Sequence, residues 1–270
     1  MNALRFCLRF ALISAVCATS ATAGDRAPDA DGPSRTRGIV TDQTVDLPLD
    51  PSRADAPRPT SPLAPVRLAA RQGGAAAFDG LGPRVAPLEF VGPDARPDLV
   101  WDPASGDLAE RGEVIATGVP KLELAGAADR VALIRRLRDL VQAAGQPLRL
   151  QPDDRAARIG TRLELQLSDV AGRSVALFAV DGVGRATLLY PMKTDPAVVA
   201  QPELAVPLDV GQPTGGDLIV ALTSTADLSG FVQSLRRLDR RRAAGEVLGL
   251  IDAVAVPDLR TGTRSLIVQP

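Results

Sequence analysis

The side chains that most often carry enzyme chemistry are scarce in this chain of 270 residues. There is no histidine, and the only cysteines are Cys7 and Cys17, close to the N-terminus. Without imidazole there is no Ser-His-Asp triad and no histidine general base, and no zinc site of the usual His and Cys type. A serine–lysine dyad would need Lys121 or Lys193, and neither stands in S-x-x-K spacing. Carboxylates are the one reactive class in good supply. The 32 acidic side chains leave room for a hydrolase that works with two of them, as glycosidases do. Stacking on sugar rings would rest on a single tryptophan, Trp101, and a single tyrosine, Tyr190.

Three short motifs invite a functional reading and each has a simpler one. The glycines of Asp181-Gly182-Val183-Gly184-Arg185 suggest a phosphate cradle, but no helix signal follows and a third glycine is missing, so a tight hairpin turn accounts for them. Asp29-Ala30-Asp31-Gly32 lacks the remaining ligands of a calcium loop. Arg236, Arg237, Arg240, Arg241 and Arg242 form the densest basic cluster, interrupted by Asp239. They suit either an anionic partner or the negative end of a helix dipole. Trp101 and Tyr190 complete the candidate interaction surface with Arg236, Arg237, Arg240 and Arg241, because aromatics are only 3% of the chain and each large ring is a potential anchor. Packing against a sheet is the alternative use of both rings.

The elements that must position these residues begin after an export signal. Arg5 and Arg9 make a basic n-region, Ala11 to Ala18 is apolar, and Ala21-Thr22-Ala23 fits a signal-peptidase site, so cleavage after Ala23 is expected. The apolar run is too short to span a membrane, and Val16 before Cys17 does not suit a lipoprotein signal. Loss of residues 1–23 removes two arginines and no acid, leaving 29 basic against 32 acidic groups. That balance gives no general attraction to nucleic acid or anionic lipid. The mature chain lacks cysteine, so stability has to come from burial rather than disulfides.

Residues 24–98 hold 12 of the 23 prolines and only two aromatics, Phe78 and Phe90. Such composition predicts a largely disordered Pro/Ala/Gly-rich linker, with room for a short folded edge over 78–91. From residue 99 to 270 the pattern becomes regular. Strands are predicted at 99–101 and 113–116 around a turn at 103–107, and a helix at 129–144 from Val131, Ile134, Leu137, Leu140 and Val141. Leu163, Leu165 and Leu167 alternate with Arg162, Glu164 and Gln166 as in a half-buried strand. Residues 174–180 and 186–190 form a hairpin, further strands fall at 204–208 and 218–223, and a helix carries Leu228, Phe231, Val232, Leu235 and Leu238. A second helical stretch at 246–254 and a last strand at 265–268 finish the chain. Strands joined by short turns with helices in separate blocks indicate an α+β fold, with a mainly antiparallel sheet or sandwich-like core and two to three helices.

Several of these segments resemble a bacterial domain of unknown function found C-terminal to caspase-like peptidase domains. The likeness lies in Trp101-Asp102 with Gly106-Asp107, in Gly112-Glu113-Val114-Ile115-Ala116, and in Arg158-Ile159-Gly160. It continues in the run from Leu177 through Gly184 to Leu188-Leu189-Tyr190-Pro191, and in Asp217 to Ser224. It covers roughly residues 98–256. The resemblance implies an accessory module standing without its peptidase, since the Cys and His of such a peptidase are absent here.

The expected function is therefore an exported, non-catalytic module that binds a protein or envelope component, with no cofactor, no metal and no nucleic acid. Two alternatives stand beside it: a carboxylate-dependent hydrolase, and a structural envelope subunit that assembles through edge strands such as 265–268.

Overall fold

The computed structural model describes residues 62–270 apart from 255 and 257. The expected signal peptide and the proline-rich segment through residue 61 lie outside the described residues. In chain order the first strands are β1 (Val66–Ala70), β2 (Leu88–Phe90), β3 (Leu99–Trp101), β4 (Leu108–Glu110) and β5 (Glu113–Ala116). Helix α1 (Leu124–Ala143) leads to β6 (Leu148–Gln151), β7 (Ala156–Arg158), β8 (Arg162–Ser168), β9 (Arg173–Val180) and β10 (Arg185–Tyr190). Then come β11 (Val198–Val199), β12 (Glu203–Asp209), β13 (Gly215–Ser224), α2 (Ser229–Arg237), β14 (Arg241–Arg242), α3 (Ala244–Ala253) and β15 (Arg260–Gln269). The fold is α+β with mostly antiparallel strands.

The central sheet runs β14-β10-β9-β13-β15-β7, with β11 added on β9. Its strands β9 and β13 are buried on both faces because they serve two cores. Ala176, Phe178, Val180, Leu218, Val220 and Leu222 face the first core, and Val175, Leu177, Ala179, Ile219 and Ala221 face the second. A strand buried on both sides reads as a continuous apolar run rather than an alternation, which is why 175–180 lacks the polar spacing of β8. The second core is closed by a three-stranded sheet, β12-β8-β6, whose Leu163, Leu165 and Leu167 point inward while Arg162, Glu164 and Gln166 do not. The first core joins the central sheet to the three helices and to a five-stranded sheet ordered β2-β1-β3-β4-β5.

The five-stranded sheet corrects the expected domain boundary. Residues 62–98 are expected as linker apart from a short folded edge over 78–91, which holds β2; yet β1 lies between β2 and β3, parallel to both, with Val66, Leu68 and Ala69 fully buried. The prolines of this stretch, at 62, 65, 83, 87, 93 and 97, all fall outside the strands. Proline density averaged over the whole segment hides two short runs that need no proline-free length beyond three to five residues.

Helix α1 starts five residues earlier than its apolar period suggests. Its first turns, Leu124-Ala125-Gly126-Ala127-Ala128, are apolar and, after Leu124, small, with Leu124, Ala125, Ala127 and Ala128 all buried, so no polar face marks them as helical. The smallness is needed: a Cβ on Gly126 would stand 2.5 Å from the Val183 carbonyl oxygen. Two arginines of α1 are held by distant parts of the fold. Arg135 donates to the carbonyls of Ala64 and Pro65 and to Asp98, and Arg136 donates to Asp252 at 2.6 Å.

The predicted edge strand at 265–268 is also corrected. β15 is flanked by β13 along its length and by β7 at residues 267–269, and Thr261 bridges to Gly145. Its outer side is paired at residues 267–269 and bridged at Thr261, so the open ladder left for assembly is confined to the residues between. Among the described residues no helix is long and apolar enough to cross a membrane.

Candidate functional site

Two of the predicted site residues are interior. Trp101 is 6% exposed, its Nε1–H donates to the Val119 carbonyl at 3.1 Å, and its ring packs near Phe78. Tyr190 is 2% exposed, and its hydroxyl donates to the Pro196 carbonyl at 3.1 Å. A β-bulge between Leu188 and Tyr190 lets both Leu189 and Tyr190 enter the second core. Neither ring offers a face to a partner, so both leave the candidate surface, and the cause is in each case a long-range packing partner.

The arginines are brought together and exposed. Arg236 and Arg237 end α2, where the helix dipole favours positive charge. Arg240, Arg241 and Arg242 lie beyond the helix, on the short segment that covers the outer edge of β10. Three bonds hold that segment in place: Arg240 N–H donates to the Ala186 carbonyl at 2.6 Å, Leu188 N–H donates to the Asp239 carboxylate at 2.8 Å, and Arg236 donates to the Pro191 carbonyl at 3.0 Å. Asp239, which breaks the cluster in sequence, is thus a substitute ladder acceptor for β10. Arg240 adopts a left-handed backbone, φ 60°, to make the turn.

Next to this edge lies a small cleft of about 100 Å³, lined chiefly by residues 115–119 at the end of β5 and just beyond it, by Glu123, by the Asp181–Arg185 turn and by Pro213-Thr214. Glu123, which sequence reasoning missed, sits between two arginines, 3.3 Å from Arg185 and 3.4 Å from Arg242. Arg185 and Arg242 are themselves cross-strand partners in the β10–β14 pair. Their mutual repulsion is what a carboxylate at this point relieves. The turn itself does not cradle an anion. Asp181 Oδ1 accepts the N–H groups of Val183 and Arg185, and Gly184 N–H donates to the Asp181 carbonyl. Glycine is required at Gly182, where a Cβ would meet the Ile115 carbonyl oxygen at 2.2 Å, and the same oxygen would lie 2.1 Å from a Cβ on Gly215.

Carboxylate chemistry has one unusual member. Asp129 on α1 is 7% exposed, and its Oδ1 accepts the N–H groups of Val85 at 2.9 Å and Ala86 at 2.7 Å. Burial pushes its pKa up to about 6; the two N–H bonds pull the other way, Glu246 adds to the rise, and Arg84 opposes it. A carboxyl that titrates near neutrality is the right kind of general acid. This one is spent on tying the 79–87 loop to α1, and Gly245 of α3 closes over Oδ2, where a Cβ would stand only 2.7 Å away. Asp258 lies at the other extreme. The Ser224 hydroxyl and the Thr225 N–H hold it well below the usual carboxylate range, and Arg173 pairs with it at 3.2 Å. Among the described residues no group of three or more Asp, Glu, His or Cys is placed to hold a metal ion.

The arginine edge can attract and orient negative charge. No family model matches the chain, and no curated protein matches it.

Proposed function

We propose that this protein is an exported, non-catalytic binding module that takes hold of an acidic protein partner along its arginine edge. One observation carries the reading. Five arginines fall within residues 236–242, all exposed, on a segment whose backbone is anchored to β10 and so presents them at fixed positions. Guanidinium groups recognise carboxylates with paired N–H donors and stay charged at any physiological pH. The signal-like N-terminus supports export, and the resemblance to an accessory domain of caspase-like proteins supports a role in binding rather than turnover. The small net charge of the chain argues for a local acidic partner rather than a polyanion such as nucleic acid.

The test is binding of a fluorescently labelled deca-glutamate peptide, followed by anisotropy at several salt concentrations. The expected result is saturable binding that weakens at least tenfold between 50 and 300 mM salt, on the order expected for several screened contacts. The double variant R237E/R240E should lose at least a further tenfold in affinity. Binding that is indifferent to both changes would refute the reading. N-terminal sequencing of the exported protein should begin at Gly24, and an intact Met1 in the mature product would remove the export half of the proposal.

A further inference from the structure

We infer that the cleft between β5, the Asp181–Arg185 turn and Pro213-Thr214 is a binding site for a small zwitterion, an α-amino acid no larger than alanine. Glu123 links the cleft to the arginine edge through Arg242, but the inference does not depend on an acidic partner docking at that edge.

An unspent carboxylate oxygen is the first support. Asp181 is 8% exposed, and its Oδ1 already accepts the N–H groups of Val183 at 3.0 Å and Arg185 at 2.8 Å. Its Oδ2 accepts no hydrogen bond from the described residues, and the wall of the cleft is where this buried side chain meets open space. A buried carboxylate oxygen without a donor is costly, and a donor that enters the cleft removes the cost. On the same wall the Arg185 side chain donates to Glu123 through Nη2, while its Nε and Nη1 donate to none of the described residues. The cleft thus presents one idle acceptor and one idle pair of donors.

Charge and size then select the ligand. Asp181 and Glu123 stand against Arg185 and Arg242, so both signs surround the cleft in equal number. A lone ammonium would face two guanidinium groups and a lone anion two carboxylates, whereas a molecule that carries both charges meets each with its opposite. The ammonium goes to Asp181 Oδ2 and the carboxylate to the Nε and Nη1 of Arg185, the pairing that a guanidinium makes best. The volume is about 100 Å³, and a cavity of about 150 Å³ holds benzene, so about four to six non-hydrogen atoms fit here. Glycine and alanine meet that limit and larger amino acids do not. Ile115, Val119 and Val183 are buried in the walls, and the Ile115 carbonyl stands hard against Gly182 and Gly215, so the shape is preformed.

The experiment follows the backbone amide signals of the isotope-labelled protein during titration with glycine. The Gly118, Gly182 and Gly184 signals should move together and saturate, with a dissociation constant on the order of 1 mM for so few ligand atoms. Alanine should bind within about fivefold of glycine, and phenylalanine, methylamine and acetate each at least about tenfold more weakly. D181N keeps an oxygen for the Val183 and Arg185 N–H groups but loses the charge that holds the ammonium, and R185Q loses the partner of the carboxylate. Each should weaken glycine binding at least about tenfold. Arg185 is partly exposed, so R185Q decides the matter should D181N fail to fold. The absence of a saturable shift by about 50 mM glycine would overturn the inference. Methylamine or acetate binding as tightly as glycine would overturn it as well, because the cleft would then select a single charge. Equal binding of phenylalanine would place the ligand outside the cleft, and glycine binding that neither D181N nor R185Q weakens would place it on other residues; either result refutes the site.

Discussion

Replacing Asp129 with asparagine should abolish a pH dependence that ordinary surface carboxylates do not produce. In the folded chain burial holds the Asp129 pKa at about 6, against 3.8 for an unperturbed aspartate. Between those values the folded protein keeps a proton that the unfolded chain has lost. Stability therefore falls as pH rises through the window from 3.8 to about 6, and the cost of the buried charge is complete above it. The whole rise corresponds to about 3 kcal/mol, and the part that lies above pH 4.5 to about 2 kcal/mol. Asp258 acts in the opposite sense, but a depressed carboxylate contributes fully above 3.8 and loses its effect only as pH falls below that. The interval from pH 4.5 to 7.5 thus isolates Asp129. Asparagine keeps an oxygen that can accept the Val85 and Ala86 N–H groups while carrying no charge. Urea titrations at steps across the interval, monitored by Trp101 fluorescence, should show the unaltered protein gaining about 2 kcal/mol on acidification relative to D129N. Two curves that stay parallel would show that the carboxyl does not titrate there, and the account of its burial would be wrong.

Two other measurements test the packing that frames the arginine edge. Gly182→Ala and Gly215→Ala each drive a Cβ to within 2.2 and 2.1 Å of the Ile115 carbonyl oxygen, whereas Gly112 has a positive φ of 86° but open space around it. The first two substitutions should cost more than about 3 kcal/mol and Gly112→Ala about 1 kcal/mol by urea midpoint; equal costs would contradict the close approach of β5 to the hairpin turn. Trp101, buried to 6% exposure, should emit at short wavelength, resist acrylamide quenching and keep its spectrum when the acidic probe binds. A shift in emission on binding would return the ring to the contact surface.

Local pattern alone determined a good part of this protein. The leucine alternation of β8, the hairpin around Gly182 and Gly184, the helix with Phe231 and Leu235, and the exposure of the arginine cluster all follow from side-chain period and turn chemistry, which neighbouring residues settle among themselves. The near absence of imidazole and thiol groups is likewise a property of composition. Tertiary structure decided the rest. It made β1 an inner strand of a sheet, sealed Trp101 and Tyr190, gave β15 a neighbour on its outer side and singled out Asp129 among the carboxylates. Each of these depends on what a residue meets from far along the chain: Asp129 on Val85 and Gly245, Trp101 on Phe78 and Val119, β15 on β7. Burial and desolvation are set by the closure of such distant segments on one another, and no period within a single segment encodes them.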